Sequence, residues 1–166
     1  MDTDTPDTRR ERSLSEYIPL AVFIGLVVGA ALFGGQWGAN EWYRALRKPW
    51  FTPPDIVFPI AWSVLYLMIA VAGWYAWKAE GEGRLPALVF WGSQLVLNAV
   101  WSYIFFGRRE MGFALVIIVA MALFILAFII AAWPLDPRAS LLFVPYLIWV
   151  SFAAFLNYTI LRMNPA

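Results

Sequence analysis

Long apolar runs separated by short polar stretches dominate the chain. Each run holds about 20 predominantly apolar residues, enough for a helix to cross about 30 Å of hydrocarbon. The runs are continuous, whereas a membrane β-barrel shows short alternating segments between turns. The pattern predicts an all-α integral membrane protein, a bundle of five transmembrane helices. The predicted spans are residues 17–36, 56–77, 85–106, 111–133 and 140–161.

Charged residues follow the same division. The chain is 62% hydrophobic and only 14% charged, and every Lys, Arg, Asp and Glu lies outside the five runs. This is expected because a charge at bilayer depth costs at least a few kcal/mol. Residues 1–16 mix arginines with acidic residues, a composition typical of a solvated, disordered tail. We therefore predict a polar tail over 1–16 and a multi-pass membrane domain over 17–166, with the first helix uncleaved.

The orientation in the membrane is not fixed by the sequence. The positive-inside rule compares Lys and Arg on the two sides of the membrane. Here the 12 Lys and Arg residues divide equally between the two sides of a five-span topology.

The first connection, residues 37–55, is the long one and is predicted to be structured. Asn40 is placed to cap a short helical turn over 41–46, after which prolines force an extended path. Two interpretations stay open: a stiff lid over a site, or an interfacial belt in which Trp and Tyr sit at headgroup level. The rigid residues of this loop are Trp42, Tyr43, Trp50, Phe51, Pro49, Pro53 and Pro54.

Three predicted helices carry an aromatic, weakly polar face at helical spacing. Asn98 at mid-membrane depth must face a partner or a cavity, because an unsatisfied amide in hydrocarbon is costly. A helix-to-helix hydrogen bond is one explanation; with Trp62 and Trp149 on neighbouring faces, a ligand cavity is favoured. The three faces are Trp62, Tyr66, Ile69 and Gly73; Trp91, Gln94, Asn98, Trp101 and Ser102; and Trp149, Ala153, Leu156 and Ile160, with Asn157 at the margin.

Several kinds of chemistry are disfavoured by what the chain lacks. It has no His and no Cys, which removes the commonest haem and transition-metal ligands and the usual nucleophile–base pairs. No Lys, Arg, Asp or Glu lies inside a span, which argues against ion-coupled transport but leaves passive transport open. We expect no metal site, no obligatory cofactor and no nucleic-acid partner.

Four sequence blocks resemble the TspO/MBR family, the tryptophan-rich sensory proteins and translocator proteins. The resemblance covers about residues 41–164. The blocks are Trp42, Tyr43, Leu46, Lys48, Pro49, Thr52, Pro53 and Pro54; Phe58, Pro59, Trp62, Leu65 and Tyr66; Leu97, Asn98, Trp101, Ser102, Phe105 and Phe106; and Pro145, Tyr146, Trp149, Phe152, Ala153, Leu156, Asn157 and Ile160.

The resemblance implies a homodimeric five-helix protein whose pocket, roofed by the first loop, accepts porphyrins, aromatic drugs and, in some members, sterols. Its membrane would be a bacterial envelope membrane or, in a eukaryote, the mitochondrial outer membrane. A short sterol pattern is present in form as Leu156, Tyr158 and Arg162. Carried over to this sequence, the pocket falls on Tyr43, Pro53, Trp62, Asn98, Trp149 and Ala153, to which we add Trp42, Tyr66, Trp101, Tyr146, Leu156 and Asn157.

Three functions are compatible with such a pocket. The first is a receptor or sensor that binds a tetrapyrrole such as protoporphyrin IX and regulates or reports its level. The second is an enzyme that degrades the bound pigment with light and oxygen, in which Trp62 or Trp149 would be the catalytic residue. The third is a carrier of porphyrins or sterols.

Overall fold

The computed structural model describes the backbone of residues 6–38 and 40–165, and side chains from residue 17 onward in those ranges. The described chain is helical and contains no strand. A π-helical turn, Tyr103–Gly107, continues the fourth helix. The helices are α1 (Pro6–Gly35), α2 (Glu41–Ala45), α3 (Val57–Lys78), α4 (Arg84–Ser102), α5 (Met111–Ala132) and α6 (Pro137–Met163).

Five of the helices are long and apolar enough to cross a membrane, which confirms the predicted five-helix class. The ends of the spans shift only slightly from the predicted ones. The largest shift is at α6, which begins at Pro137 because Asp136 caps it: the Asp136 carboxylate accepts a hydrogen bond from the Arg138 backbone N–H at 2.9 Å. A proline in the first helical position after such a cap is a common helix start.

The structure differs from the predicted disordered tail over residues 6–16. These residues belong to α1, which is described from Pro6 onward. Among the described residues, the stretch of α1 that is long and apolar enough to span a membrane is Tyr17–Gly35. Residues 1–5 of the predicted tail lie outside the described residues.

The end of the bundle away from the first loop is closely packed, and we call it the sealed end. Its large side chains Ile125, Phe128 and Phe143 are fully buried, and the rings of Phe128 and Phe143 are 4.1 Å apart. Nearer the middle of the bundle, the Trp91 indole N–H donates to the Ile69 carbonyl at 2.8 Å. These contacts leave the helices little freedom to separate there.

The first loop is tied to the other end of the bundle, which we call the lid end. Asn40 caps α2 as predicted, with its side-chain oxygen accepting from the Tyr43 N–H at 3.0 Å. The Asn40 amide also donates to the Phe106 carbonyl at 3.1 Å. Further along, Asn164 and Arg47 exchange two hydrogen bonds of 3.0 and 2.9 Å. The loop is therefore held at both α2 and the C-terminal end of α6.

Both interpretations of the aromatic loop apply, but to different residues. Tyr43 of the loop is buried against the bundle and packs on Phe105 and Phe106, as a lid residue should. Trp50 is 95% exposed, as an interfacial belt residue should be.

Gly25 and Gly29 of α1 have the spacing of a small-residue helix-contact motif. A side chain added at either position would meet nothing within 4 Å in the described chain. The motif therefore does not serve packing within this bundle, and the homodimer stays a prediction.

Candidate functional site

A cavity of about 610 Å³ lies under the first loop, at the lid end of the bundle. The loop and helices α1, α3, α4 and α6 all contribute to its wall. Eight residues predicted for the site line it: Tyr43, Trp62, Tyr66, Trp101, Trp149, Ala153, Leu156 and Asn157.

The roof of the cavity is formed by Tyr43 of α2. Its ring packs edge-on against Phe106 at 5.3 Å, and the Lys48 ammonium group lies 4.6 Å from its centre on a ring face. Burial and the nearby charge of Asp55 raise the pKa of the Tyr43 hydroxyl above its ordinary value. The roof is thus a neutral, largely desolvated phenol at physiological pH.

The walls are aromatic rings held at angles to one another. Trp62 lies 5.2 Å from Tyr66, and Phe58 approaches Trp149 edge-on at 5.9 Å. On the opposite side, Trp101 lies against Phe105 in a stacked arrangement at 5.2 Å. Rings in these arrangements leave π faces available to a flat ligand.

A polar network crosses the bundle beneath the cavity and forms its floor. The Tyr66 hydroxyl donates to the Asn98 side-chain oxygen at 2.9 Å, and the Asn98 amide donates to the Tyr146 oxygen at 3.2 Å. The Tyr146 hydroxyl in turn donates to the Gln94 side-chain oxygen at 2.8 Å. Three helices are linked by this chain of bonds, and only Tyr66 among its members reaches the cavity wall.

The sequence predicts that Asn98 and Tyr146 face the ligand, but neither residue lines the cavity in this structure. Asn98 is 3% exposed and Tyr146 is fully buried. Their polar atoms form hydrogen bonds with each other and with residues of neighbouring helices. The helix-to-helix alternative for Asn98 describes its environment. An amide buried in hydrocarbon needs such partners.

Trp42 and Pro53 also lie outside the cavity wall. The Trp42 ring packs edge-on against Phe105 at 5.9 Å, and the Arg109 guanidinium lies 6.0 Å from its centre. Pro53 is half-buried in the extended part of the loop. Both residues shape the lid without forming the inner surface.

Asn157 holds the far wall in place. Its side-chain oxygen accepts from the Trp101 indole N–H at 3.3 Å, and its amide donates to the Met111 carbonyl at 3.0 Å. The residue thus joins α6 to α4 and α5 while lining the cavity, and it fixes the plane of one tryptophan.

The three residues of the sterol pattern are not brought to one surface. Leu156 is buried and lines the cavity, whereas Tyr158 is 48% exposed and Arg162 is exposed on the outside of α6. Residues two positions apart on a helix do not face the same way.

Sequence reasoning missed several lining residues. Phe58, Pro59 and Phe105 belong to the blocks that carry the family resemblance, so the sequence contained a signal that could have identified them. For Arg44 and Asp55 the sequence contained no such signal beyond their positions beside Tyr43 and Pro54. The small lining residues on the α1 side were also missed, because α1 has no polar stripe that would mark an inward face. These residues are Ala31, Gly34, Gly35 and Gly38.

The comparisons with known proteins extend the resemblance to the first span. The TspO/MBR family matches residues 18–163. The chain is 40% identical over 142 residues to the tryptophan-rich sensory protein of Cereibacter sphaeroides, covering 86% of this chain and 89% of that protein. It is 34% identical over 147 residues to protein CrtK of Rhodobacter capsulatus, covering 87% and 92%. With the human translocator protein it shares 35% identity over 148 residues, covering 87% and 86%. Together with the five spanning helices, these matches show that the chain belongs to the TspO/MBR family of multi-pass membrane proteins.

Proposed function

We propose that this chain is a membrane receptor or sensor that binds a tetrapyrrole in the cavity under the first loop. The observation that carries the proposal is the cavity itself, about 610 Å³ and walled by Trp62, Trp101 and Trp149. This volume lies within the usual range of small-molecule sites. A relative named as a sensory protein and others named as translocator proteins support a membrane receptor role.

A tetrapyrrole matches the chemistry of this cavity. Its ring is a broad π surface, which stacks on indole and phenol faces such as those of Trp149 and Tyr66. Most of the wall is apolar, so transfer of the apolar ring from water into the cavity is favourable. A porphyrin also has acidic groups at one edge, and these would remain at the cavity mouth because burying a carboxylate among apolar rings is costly.

A dark titration tests the proposal. Protoporphyrin IX is added to the detergent-solubilised protein, and quenching of tryptophan fluorescence is followed in the wild type, in Trp149→Leu and in Trp133→Leu. Trp133 lies at the sealed end, is 54% exposed and serves as the matched loss of one tryptophan. We expect saturable quenching that Trp149→Leu weakens several-fold, since an aromatic pair contributes about 0.5–1.5 kcal/mol beyond its buried area.

The opposite outcome is equally clear. Quenching that fails to saturate, and is the same in all three proteins, reports partition of the pigment into the detergent. The tetrapyrrole proposal would then be abandoned.

A second candidate function is light- and oxygen-dependent degradation of the bound pigment. The observation that favours it is that Trp62 and Trp149, the two candidate catalytic residues, both line the same cavity. Illumination of the complex in air should then yield a new pigment-derived product, and Trp62→Phe or Trp149→Phe should slow its formation. Recovery of intact pigment from illuminated samples would leave the receptor proposal as the better one.

Carriage is the third candidate, and the relatives named translocator proteins favour it. A carrier should accelerate the transfer of a porphyrin or sterol between vesicle leaflets when reconstituted. Saturable binding without such acceleration would support the receptor.

A further inference from the structure

The mouth of the cavity carries opposite charges. Among the described residues that line the cavity, only Arg44 and Asp55 are of a type that is charged at neutral pH. Neither takes part in an ion pair within the described part of the chain, where Arg108–Glu110 and Arg138–Asp136 are the pairs formed. Within that part of the chain no ion pair competes with a bound molecule for either charge.

Local backbone contacts hold the two segments that carry these side chains. Arg44 lies in the last turn of α2, and its backbone N–H donates to the Asn40 carbonyl at 3.1 Å. Asp55 lies between Pro54 and the start of α3, in a turn closed by a 2.9 Å bond from the Val57 N–H to the Pro54 carbonyl. The two charges thus come from separate anchored segments on the edge of an apolar cavity.

The remaining lining residues give an acidic group no other cationic partner. Inside the mouth the wall consists of aromatic, aliphatic and small residues with a few neutral polar groups. A carboxylate carried into that region would lose its hydration. At the mouth it meets the Arg44 guanidinium, which can form a paired, charge-assisted hydrogen bond.

We infer that Arg44 and Asp55 select the ligand by charge: Arg44 binds a carboxylate at the edge of the bound ring, and Asp55 disfavours a carboxylate on its own side of the mouth. This inference rests on the proposed function and names the ligand class more narrowly. The preferred ligand is a flat apolar ring system with acidic substituents at one edge, and its neutral ester is bound without help from Arg44.

The test compares protoporphyrin IX with its dimethyl ester in the intact, detergent-solubilised protein. Arg44→Gln should raise the Kd of the acid about threefold to tenfold, because the contact lies at a partly solvated mouth, and leave the ester unchanged. Asp55→Asn should lower the Kd of the acid and also leave the ester unchanged. Added salt should shrink both effects on the acid.

Two neighbouring residues supply matched controls. Arg47 and Glu41 lie in the same loop, are exposed and do not line the cavity. Arg47→Gln and Glu41→Gln make the same charge changes outside the mouth, so neither should alter the Kd of either ligand. Arg44→Lys should restore part of the affinity for the acid, since a single ammonium keeps the charge but loses the paired geometry.

The outcomes separate this inference from the function on which it rests. If both ligands bind saturably and Arg44→Gln changes them equally or not at all, the charge selection is overturned and the tetrapyrrole site stands. Charge selection is overturned in the same way if Arg47→Gln weakens the acid as much as Arg44→Gln does. If neither ligand binds saturably, the function and the inference fall together.

Discussion

The two ends of the bundle use small residues in opposite ways. At the sealed end and along the buried helix faces, Ala72, Ala76 and Ala132 are fully buried. There, small residues let neighbouring helices approach closely. At the lid end, Ala31 and Gly34 line the cavity instead. A small residue tightens a helix contact when another helix faces it and enlarges a cavity when aromatic rings surround the space.

The polar network marks the border between these two regions. It joins α3, α4 and α6 through Tyr66, Asn98 and Tyr146. Below it the side chains interlock, and above it large rings meet at angles and leave space. The closely packed half thereby holds the walls of the open half in position, which is how a binding site gains a fixed shape before its ligand arrives.

The largest effect is expected from adding a side-chain atom to the closely packed half of the bundle, where the contacts leave no room for it. Gly73→Ala would place a Cβ 2.6 Å from the Trp91 indole nitrogen and 2.6 Å from the Phe23 ring. Overpacking of this kind costs about 1–3 kcal/mol, and it would displace the ring that donates to Ile69. We expect the free energy of unfolding to fall by that amount, measured by SDS titration in mixed micelles, with ligand affinity unchanged.

Gly92→Ala is the control, because it is also a helical glycine and a Cβ there meets nothing within 4 Å. The two substitutions share the same gain in helix propensity, so their difference isolates the packing effect. Equal unfolding free energies in the two variants would contradict the close approach at Gly73.

A smaller effect is expected at the border. Tyr146→Phe keeps the ring but removes the hydroxyl that joins Asn98 to Gln94. Such bonds contribute about 0.6 kcal/mol on average and up to about 1.7 in membrane proteins. We expect a loss of stability in that range and a ligand affinity within about twofold of the wild type, since Tyr146 does not line the cavity.

Tyr158→Phe provides the comparison, because Tyr158 is exposed on the outer side of α6. It should change neither stability nor affinity. A large loss of affinity in Tyr146→Phe alone would show that its hydroxyl reaches the ligand, as the sequence pattern predicts.

The fold followed from the sequence because one physical demand dominates it. Charges are excluded from hydrocarbon, so the five spans are bounded by charged or turn residues such as Lys78, Arg84 and Asp136. Residues 6–16 were harder to place, because composition alone does not decide whether a polar segment beside a helix continues it.

The predicted site residues and the residues that line the cavity overlap in part, and the differences have two causes. Helical spacing puts Trp62, Tyr66 and Asn98 on faces that point inward, but it does not say how deep a cavity reaches along those faces. Asn98 and Tyr146 lie one layer below the cavity wall, where the Asn98 amide donates a hydrogen bond to the Tyr146 oxygen. Arg44 and Asp55 escaped because loop geometry, not periodicity, brings them to the mouth.

The lid can be loosened without touching the sealed end. Asn164→Ala removes the two hydrogen bonds to the Arg47 backbone. These bonds are exposed, so we expect only about 0.5 kcal/mol in unfolding free energy. Local opening should increase more, and faster tryptic cleavage after Arg44 or Arg47 would report it. Thr159→Ala, which removes a side-chain bond within α6, should leave cleavage unchanged.

The smallest effect is one that appears only in alkali, at the roof of the cavity. Because burial and the charge of Asp55 raise the pKa of Tyr43, the unfolded chain releases this proton before the folded one does. Stability linked to Tyr43 is therefore complete below a pH of about 10 and declines as the pH rises towards and through the raised value. The stability difference between the wild type and Tyr43→Phe should be constant below that point and shift against the wild type above it. Asp55→Asn should end the decline at a lower pH, because it removes one of the two causes of the raised pKa. If the difference stays flat in alkali, Tyr43 is not desolvated under the loop, and the lid end is more open than its contacts imply.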